Sequence, residues 1–228
     1  AERKPTKWYM IGNDFIWGRN TNAAAKGYIE KTGAKVVGDE YLPFTVDNFD
    51  ASLARIRDSG ADAVLVSLVG GASVTFNKSF ASFGLSDKAI RLGTLIEENT
   101  LAGIGNANAR NLYSSSGYFA NIDTPAAKAF AADYAKANGA NAPTLNGLAE
   151  STYEGFLMLE ALAKKAGSLN PAKLDAASEG TTYTGPRGTA TIKARHVEQD
   201  IYVADVTDKG FRVVKTFPKV GSGQTCKV

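Results

Sequence analysis

Glu97 and Glu98 stand side by side after an apolar run and could serve as paired general acid and general base. Acidic residues that open a helix are also favoured by its dipole, which accounts for at least one of the two without chemistry. The single histidine, His196, lies in the polar run Lys193-Ala194-Arg195-His196-Val197-Glu198, with no Ser or Cys nucleophile of recognisable context beside it. Packing at a surface or between lobes is the better reading for it. Gly103-Ile104-Gly105-Asn106-Ala107-Asn108 begins like a dinucleotide fingerprint, but the third Gly is missing and the stretch follows a helix-like segment. Walker A and Gly-x-Ser-x-Gly sequences are absent, and none of the nine tyrosines has Lys four positions later. No cofactor is expected. One His and one Cys, thirty positions apart, cannot furnish the three or four ligands of a zinc site or an internal disulfide. Asp14, after Gly12-Asn13, suits a helix cap. Phe15 and Trp17 are two large aromatics where a strand gives way to a helix; they can wall an apolar ligand site or simply fill a core.

The elements that must position these residues alternate. Lys7 to Gly12 is a short apolar run closed by Gly, followed by a helix over about Arg19–Thr32. Ala34–Tyr41 reads as a strand; Phe49, Leu53, Ile56 and Arg57 keep helical spacing; Ala61–Leu68 is a second continuous apolar strand. Phe76, Phe80 and Phe83 give the next helix its buried stripe, Lys88–Thr94 is another strand, and Tyr113–Ala120 a fifth. Continuous apolar strands separated by single helices predict an α/β fold with a doubly wound parallel sheet over residues 6 to about 120. Ligands of such sheets sit beyond the carboxyl ends of the strands. Here those ends are Gly12–Phe15, Val69–Ser73 and Gly93–Leu95.

After about Asp123 the texture changes. Helices are expected from Pro125 to Ala137, from Asn146 to Ala166 and from Pro171, without intervening strands. The Gly185-Pro186-Arg187-Gly188 turn then leads into three short strands at 189–193, 200–206 and 211–216. Residues 123–198 therefore read as helices with no sheet of their own to cover, and the expectation is that sequence outside this chain supplies it.

The 228 residues are 44% apolar, enough to build a core, and disorder is excluded. Twenty-six Lys and Arg against 23 Asp and Glu leave a net charge of +3 with no basic block, so nucleic acid is not an expected partner. There is no run of 18 apolar residues to span a bilayer. Ala1–Pro5 lacks the apolar core of a secretory signal, which says little about compartment, since a mature chain or a fragment would lack it alike. Cys226 is either a free tail thiol or, in an exported protein, the partner of a Cys outside this chain.

Four stretches, in order, carry a resemblance: Lys7 to Arg19 (KWYMIGNDFIWGR), Asp62–Val66 with Gly70-Gly71, Tyr118–Pro125 (YFANIDTP), and Gly185–Thr189 (GPRGT). Together the chain resembles type I periplasmic binding proteins of the leucine/isoleucine/valine-binding family, in its amide- and urea-binding branch, over about 210 residues. In that family two lobes face each other across a cleft and the chain crosses between them three times. The resemblance implies that residues 5–120 and 199–217 form the second lobe, that 121–198 return into the first, and that the opening of the first lobe is missing, either cut away or held as a separate chain.

The resemblance also implies a site, at Phe15 and Trp17, at Val69, Gly70 and Gly71, and at Thr94, Leu95 and Glu97. Phe and Trp stand where the family often has Tyr, which removes hydroxyl partners and leaves apolar faces. That argues against urea and for a small amide, an amino acid or an aromatic acid, the last favoured; an amino acid would need Glu97 for its ammonium. The implied function is a non-enzymatic, cofactor-free solute-binding protein of an ABC importer, periplasmic or lipoprotein-anchored with its signal removed, which closes on its solute and meets a membrane permease. A ligand-sensing regulator of the same fold, or a small α/β enzyme using Glu97 or His196, is the rival reading.

Overall fold

The computed structural model describes residues 4–222; Ala1–Arg3 and Cys226 lie outside them. The chain divides into two compact units, residues up to Ser115 with Ala204–Arg212, and Ser116–Val203 with the described residues from Val213 on.

The first unit is an alternation of β1 (Lys7–Asn13), α1 (Ile16–Lys31), β2 (Lys35–Leu42), α2 (Asp50–Ser59), β3 (Ala63–Ser67), α3 (Gly70–Ser82), β4 (Ile90–Gly93), α4 (Glu98–Ile104) and β5 (Leu112–Ser116). The five strands are all parallel, in the order β2-β1-β3-β4-β5. Side chains of a strand point alternately to its two faces, so a strand buried on both sides must be apolar throughout. β1 and β3 show how this works. Tyr9, Ile11, Val64 and Val66 join Leu53 and Ile56 of α2 and Phe76 and Phe80 of α3 in one core. Met10 and Leu65, in between, face the other way and pack with Ile29 of α1 and Ala34. α1 thus covers one face while α2 and α3 cover the other. Phe83 is the exception to its predicted stripe: α3 stops at Ser82, and Phe83 is its exposed C-cap.

Arg91 on β4 has no exposed surface. Its guanidinium donates to the Asn77 side chain at 2.9 Å, to the Asn108 and Arg110 carbonyls at 2.9 and 2.8 Å, and to the Ser86 hydroxyl at 3.2 Å, and it lies 4.6 Å from the Phe80 ring centre. Neutral oxygens thereby replace water around a cation that has no carboxylate at hand, and burial lowers its pKa to about 10. The same bonds pin β4 against α3 and the loop before β5.

The second unit holds α5 (Pro125–Asn138), α6 (Gly147–Ala166) and α7 (Pro171–Ala177), each opened by an oxygen-bearing cap: Thr124, Asn146 and Asn170. Pro stands in the first turn of α5 and α7, where its missing N–H does no harm. Then come β6 (Thr182–Gly185), β7 (Gly188–Lys193), β8 (His196–Thr207) and β9 (Gly210–Val220), of which the Ala204–Arg212 stretch belongs to the first unit. The helices follow one another without intervening strands, as the sequence predicts, and β7 matches the strand expected at 189–193; β6 is not among the expected strands. β6 pairs antiparallel with β7 across the two-residue Pro186-Arg187 turn, and β7 pairs antiparallel with β8 across Ala194-Arg195. β6, Thr-Tyr-Thr-Gly, is too short and polar to announce itself. The fifth strand also ends at Ser116, four residues earlier than expected.

Inside this unit α6 buries two acids one turn apart, Glu150 and Glu154, which are 0% and 1% exposed. Arg187, from the β6–β7 turn, answers them. Its Nε donates to Glu154 Oε2 at 2.9 Å and lies 3.2 Å from Glu150 Oε2, while its backbone N–H donates to Glu154 Oε1 at 3.0 Å. Gly185 is required in the turn, since a Cβ there would fall 2.5 Å from Glu154 Oε1. With one cation for two acids, burial and the neighbouring Glu154 push the Glu150 carboxyl up to about 9 against the opposing pull of Arg187.

A carboxyl raised on folding holds its proton more tightly in the folded chain. Its stabilising contribution is therefore complete below the ordinary carboxylate range, about pH 4.5, and is lost as pH rises through about 9. Glu150→Gln, which cannot ionise, is expected to flatten the fall in stability across that window. Urea midpoints between pH 5 and 9 would check it; parallel pH profiles for variant and parent would count against a protonated Glu150.

Candidate functional site

The order β2-β1-β3-β4-β5 reverses direction between β1 and β3: β2 lies on one side of β1, and β3 and its successors on the other. Helices that follow β1 and β3 accordingly go to opposite faces, the switch point beyond whose strand ends open α/β sheets generally bind their ligands. Phe15 and Trp17 stand on the β1 side of that switch, Val69, Gly70 and Gly71 on the β3 side, and Thr94, Leu95 and Glu97 follow β4, the next strand along. All eight residues inferred from the sequence thus belong to one edge of one unit.

Asn13, the last residue of β1, is fully buried and ties this edge together. Its Oδ1 accepts from the Val69 N–H at 2.8 Å, and its Nδ2 lies 3.5 Å from the Leu42 and Pro43 carbonyls. Asp14 N–H donates to the Leu42 carbonyl at 2.7 Å. Three loops therefore share one amide side chain. Gly18 lets α1 start this close: an added Cβ would sit 2.4 Å from the Asn13 carbonyl oxygen, a backbone atom that cannot swing away. Gly18→Ala is expected to lose about 1–3 kcal/mol through this overpacking and to displace the 13–17 loop; an unchanged urea midpoint would show that the contact relaxes freely.

Two of the three helix starts on this edge lack a side-chain cap. α1 begins after Phe15 and α3 after Val69, neither of which caps with its side chain. The first N–H groups of a helix need acceptors and carry the positive end of its dipole. Gly70, at a φ of +54°, adopts a conformation that favours glycine, and neither Gly70 nor Gly71 would bring a Cβ within 4 Å of another group. The backbone is consequently open at the start of α3. α4 differs. Glu97 is its N-cap, accepting from the Asn99 and Thr100 N–H groups at 2.8 Å each and from the Thr100 hydroxyl at 2.7 Å. Both carboxylate oxygens are thus occupied by the helix, the structural reading weighed for the Glu97-Glu98 pair.

Thr94 donates toward the Val66 carbonyl and the Ser67 hydroxyl, both at 3.3 Å, which couples the β3 and β4 ends. Leu95 is half-buried beside it. Asp14 does not cap α1; it pairs with Arg19 at 2.7 Å, and that hydrogen bond lowers its carboxyl pKa. The ring of Phe15 lies 5.8 Å from Trp17 and 4.9 Å from Phe44. Phe44, on the loop after β2, escaped the sequence reading, although β2 runs parallel to β1 and must end on the same edge. The signal available was Leu42-Pro43-Phe44, an apolar triplet at a strand end. His196 belongs to the second unit, where its Nδ1 lies 2.8 Å from the Ala194 carbonyl. Gly103 and Gly105 fall in and just after the end of α4 and build no phosphate loop.

Among the described residues no helix is long and apolar enough to cross a membrane. The family model for periplasmic binding proteins matches residues 1–211. A Leu/Ile/Val-binding protein homolog of Brucella melitensis is 28% identical over 227 residues, covering 94% of this chain and 58% of that protein. Among solved structures, a solute-binding protein of an ABC transporter from Rhodopseudomonas palustris HaA2, in complex with p-hydroxybenzoic acid, matches with a TM-score of 0.85 and 27% identity, over 94% of this chain and 61% of that one. A second, from R. palustris BisB5 with 3,4-dihydroxybenzoic acid, matches with a TM-score of 0.82 and 25% identity, over 96% and 62%. The chain spans about three-fifths of the length of these relatives.

Proposed function

We propose, because this chain belongs to the periplasmic binding protein family, that it works as part of an extracytoplasmic solute-binding protein of an ABC importer and that its solute is a small aromatic carboxylic acid. The observation that carries the choice of solute is the pairing, on one strand edge, of the Phe15–Trp17 rings with two helix starts that have no side-chain cap. Flat apolar rings favour a flat apolar ligand body. N–H groups at helix starts favour a carboxylate beside it. Solved relatives at 27% and 25% identity hold hydroxylated benzoic acids, which supports the same chemistry.

In this reading Phe15, Trp17, Val69, Gly70, Gly71, Thr94 and Leu95 line the second-lobe half of a cleft, and Glu97 holds the α4 start on its rim. The three hydrogen bonds Glu97 already accepts argue against its pairing with the ammonium of an amino acid. The rest of the first lobe comes from sequence outside these 228 residues. The 58% and 61% coverage of relatives supports this, as do Leu148, Tyr153, Phe156 and Leu159, large apolar residues that α6 leaves exposed. Closure of the lobes on the solute, and presentation of the closed form to a membrane permease, complete the proposal. No covalent chemistry takes part, so the solute leaves unchanged.

Titration calorimetry on the two-lobe protein with benzoate, 4-hydroxybenzoate, leucine and acetamide tests it. Binding of the benzoates with weak or no binding of leucine and acetamide is expected. Binding of leucine or acetamide in preference to both benzoates would overturn the solute class, and conversion of a benzoate during incubation would overturn the non-enzymatic reading.

A further inference from the structure

Phe44 is 56% exposed, a large apolar ring on a loop tip, where such a residue normally has nothing to hold it. Here it is held. The Leu42 carbonyl accepts from Asp14 N–H at 2.7 Å, Pro43 fixes φ just before it, and the Val46 N–H closes a turn back to the Pro43 carbonyl at 3.2 Å. Its ring centre lies 4.9 Å from that of Phe15, tilted by 54°, within the range of favourable aromatic contacts. Trp17, Phe15 and Phe44 therefore form a cluster of three rings contributed by the β1 and β2 ends, with Phe15 in contact with both others. Trp17 and Phe15 sit at the α1 start, and Phe44, from the loop after β2, adds its ring to theirs through Phe15.

We infer that Phe44 is a specificity-determining residue that lengthens the apolar wall, so that the site accepts acids whose aromatic ring stands some way out from the carboxylate. This rests on the solute-binding reading above. A benzoate anchored at the helix starts covers Phe15 and Trp17; 3-phenylpropionate, whose ring is two carbons further from the carboxylate, reaches Phe44. The ring is exposed and caps no core, so its removal leaves the fold intact.

The test compares benzoate and 3-phenylpropionate by calorimetry on the two-lobe protein and its Phe44→Ala and Phe44→Tyr variants. Phe44→Ala is expected to weaken 3-phenylpropionate about fivefold to tenfold and benzoate less than twofold, the scale of one lost ring contact. Phe44→Tyr, which keeps the ring, should stay within about twofold of the parent for both, by the same measure. Equal losses for the two acids, or no loss for either, would overturn the role of Phe44 while leaving the solute class standing. A parent protein that binds neither acid would overturn the solute class and this inference with it.

Discussion

Trp17→Ala in the two-lobe protein is expected to weaken the binding of aromatic acids by tenfold or more while leaving the fold almost untouched. Trp17 occupies the first turn of α1, and helical side chains lean toward the helix N-terminus, which here is the strand edge. Its ring is half-buried and stacks at a tilt on Phe15, so the free chain loses little when it goes, about 1 kcal/mol or less. A bound aromatic acid loses the burial of one ring face, on the order of 1.5–3 kcal/mol, which is where the tenfold figure comes from. Trp17→Phe should recover most of the affinity. Calorimetry and thermal unfolding on the same samples separate the two effects, and unchanged affinity for every acid would remove Trp17 from the site.

Arg187→Ala carries the largest expected effect on stability, a loss of about 3–5 kcal/mol, because removing one member of a buried ion pair strands the others. Arg187 is itself only 10% exposed in its side chain, and both acids it serves are on the buried side of α6. Without it no guanidinium faces the two buried acids of α6, so the variant should lose still more stability as pH rises through the range in which Glu150 must ionise. For a chain of this length the melting temperature should fall by roughly 10 °C. Arg187→Met combined with Glu154→Gln, which removes the charge on both sides, should regain much of the loss, since a neutral, shape-matched pair leaves less uncompensated charge. A double variant no more stable than Arg187→Ala would show that the turn needs the guanidinium for its shape and not for its charge.

How much of this was legible in the residue order depends on the range of the interaction. The doubly wound unit could be read because its rule is local: a strand covered on both faces must be apolar at every position, and Met10 between Tyr9 and Ile11, or Leu65 between Val64 and Val66, satisfies it without knowledge of the partners. The helix starts at Pro125, Asn146 and Pro171 were visible for the same reason, since the fit of proline to a first turn is settled within a few residues. Strand ends followed from the strands, and so the loops at 15–17, 69–71 and 94–97 could be grouped before any contact was known.

Contacts between residues far apart in the chain were out of reach. Asn13 looks like any polar residue after a strand, yet its amide joins loops 29, 30 and 56 residues away. Phe44 becomes part of a ring cluster only because β2 lies against β1. β6 is four residues long and is held extended by its pairing with β7. Nothing local marks Glu150 and Glu154 as buried; the fold turns their face of α6 inward and sets Arg187 against it. Local sterics and capping are written in neighbouring residues, whereas burial and charge pairing depend on which distant segments meet, and that only the folded chain decides.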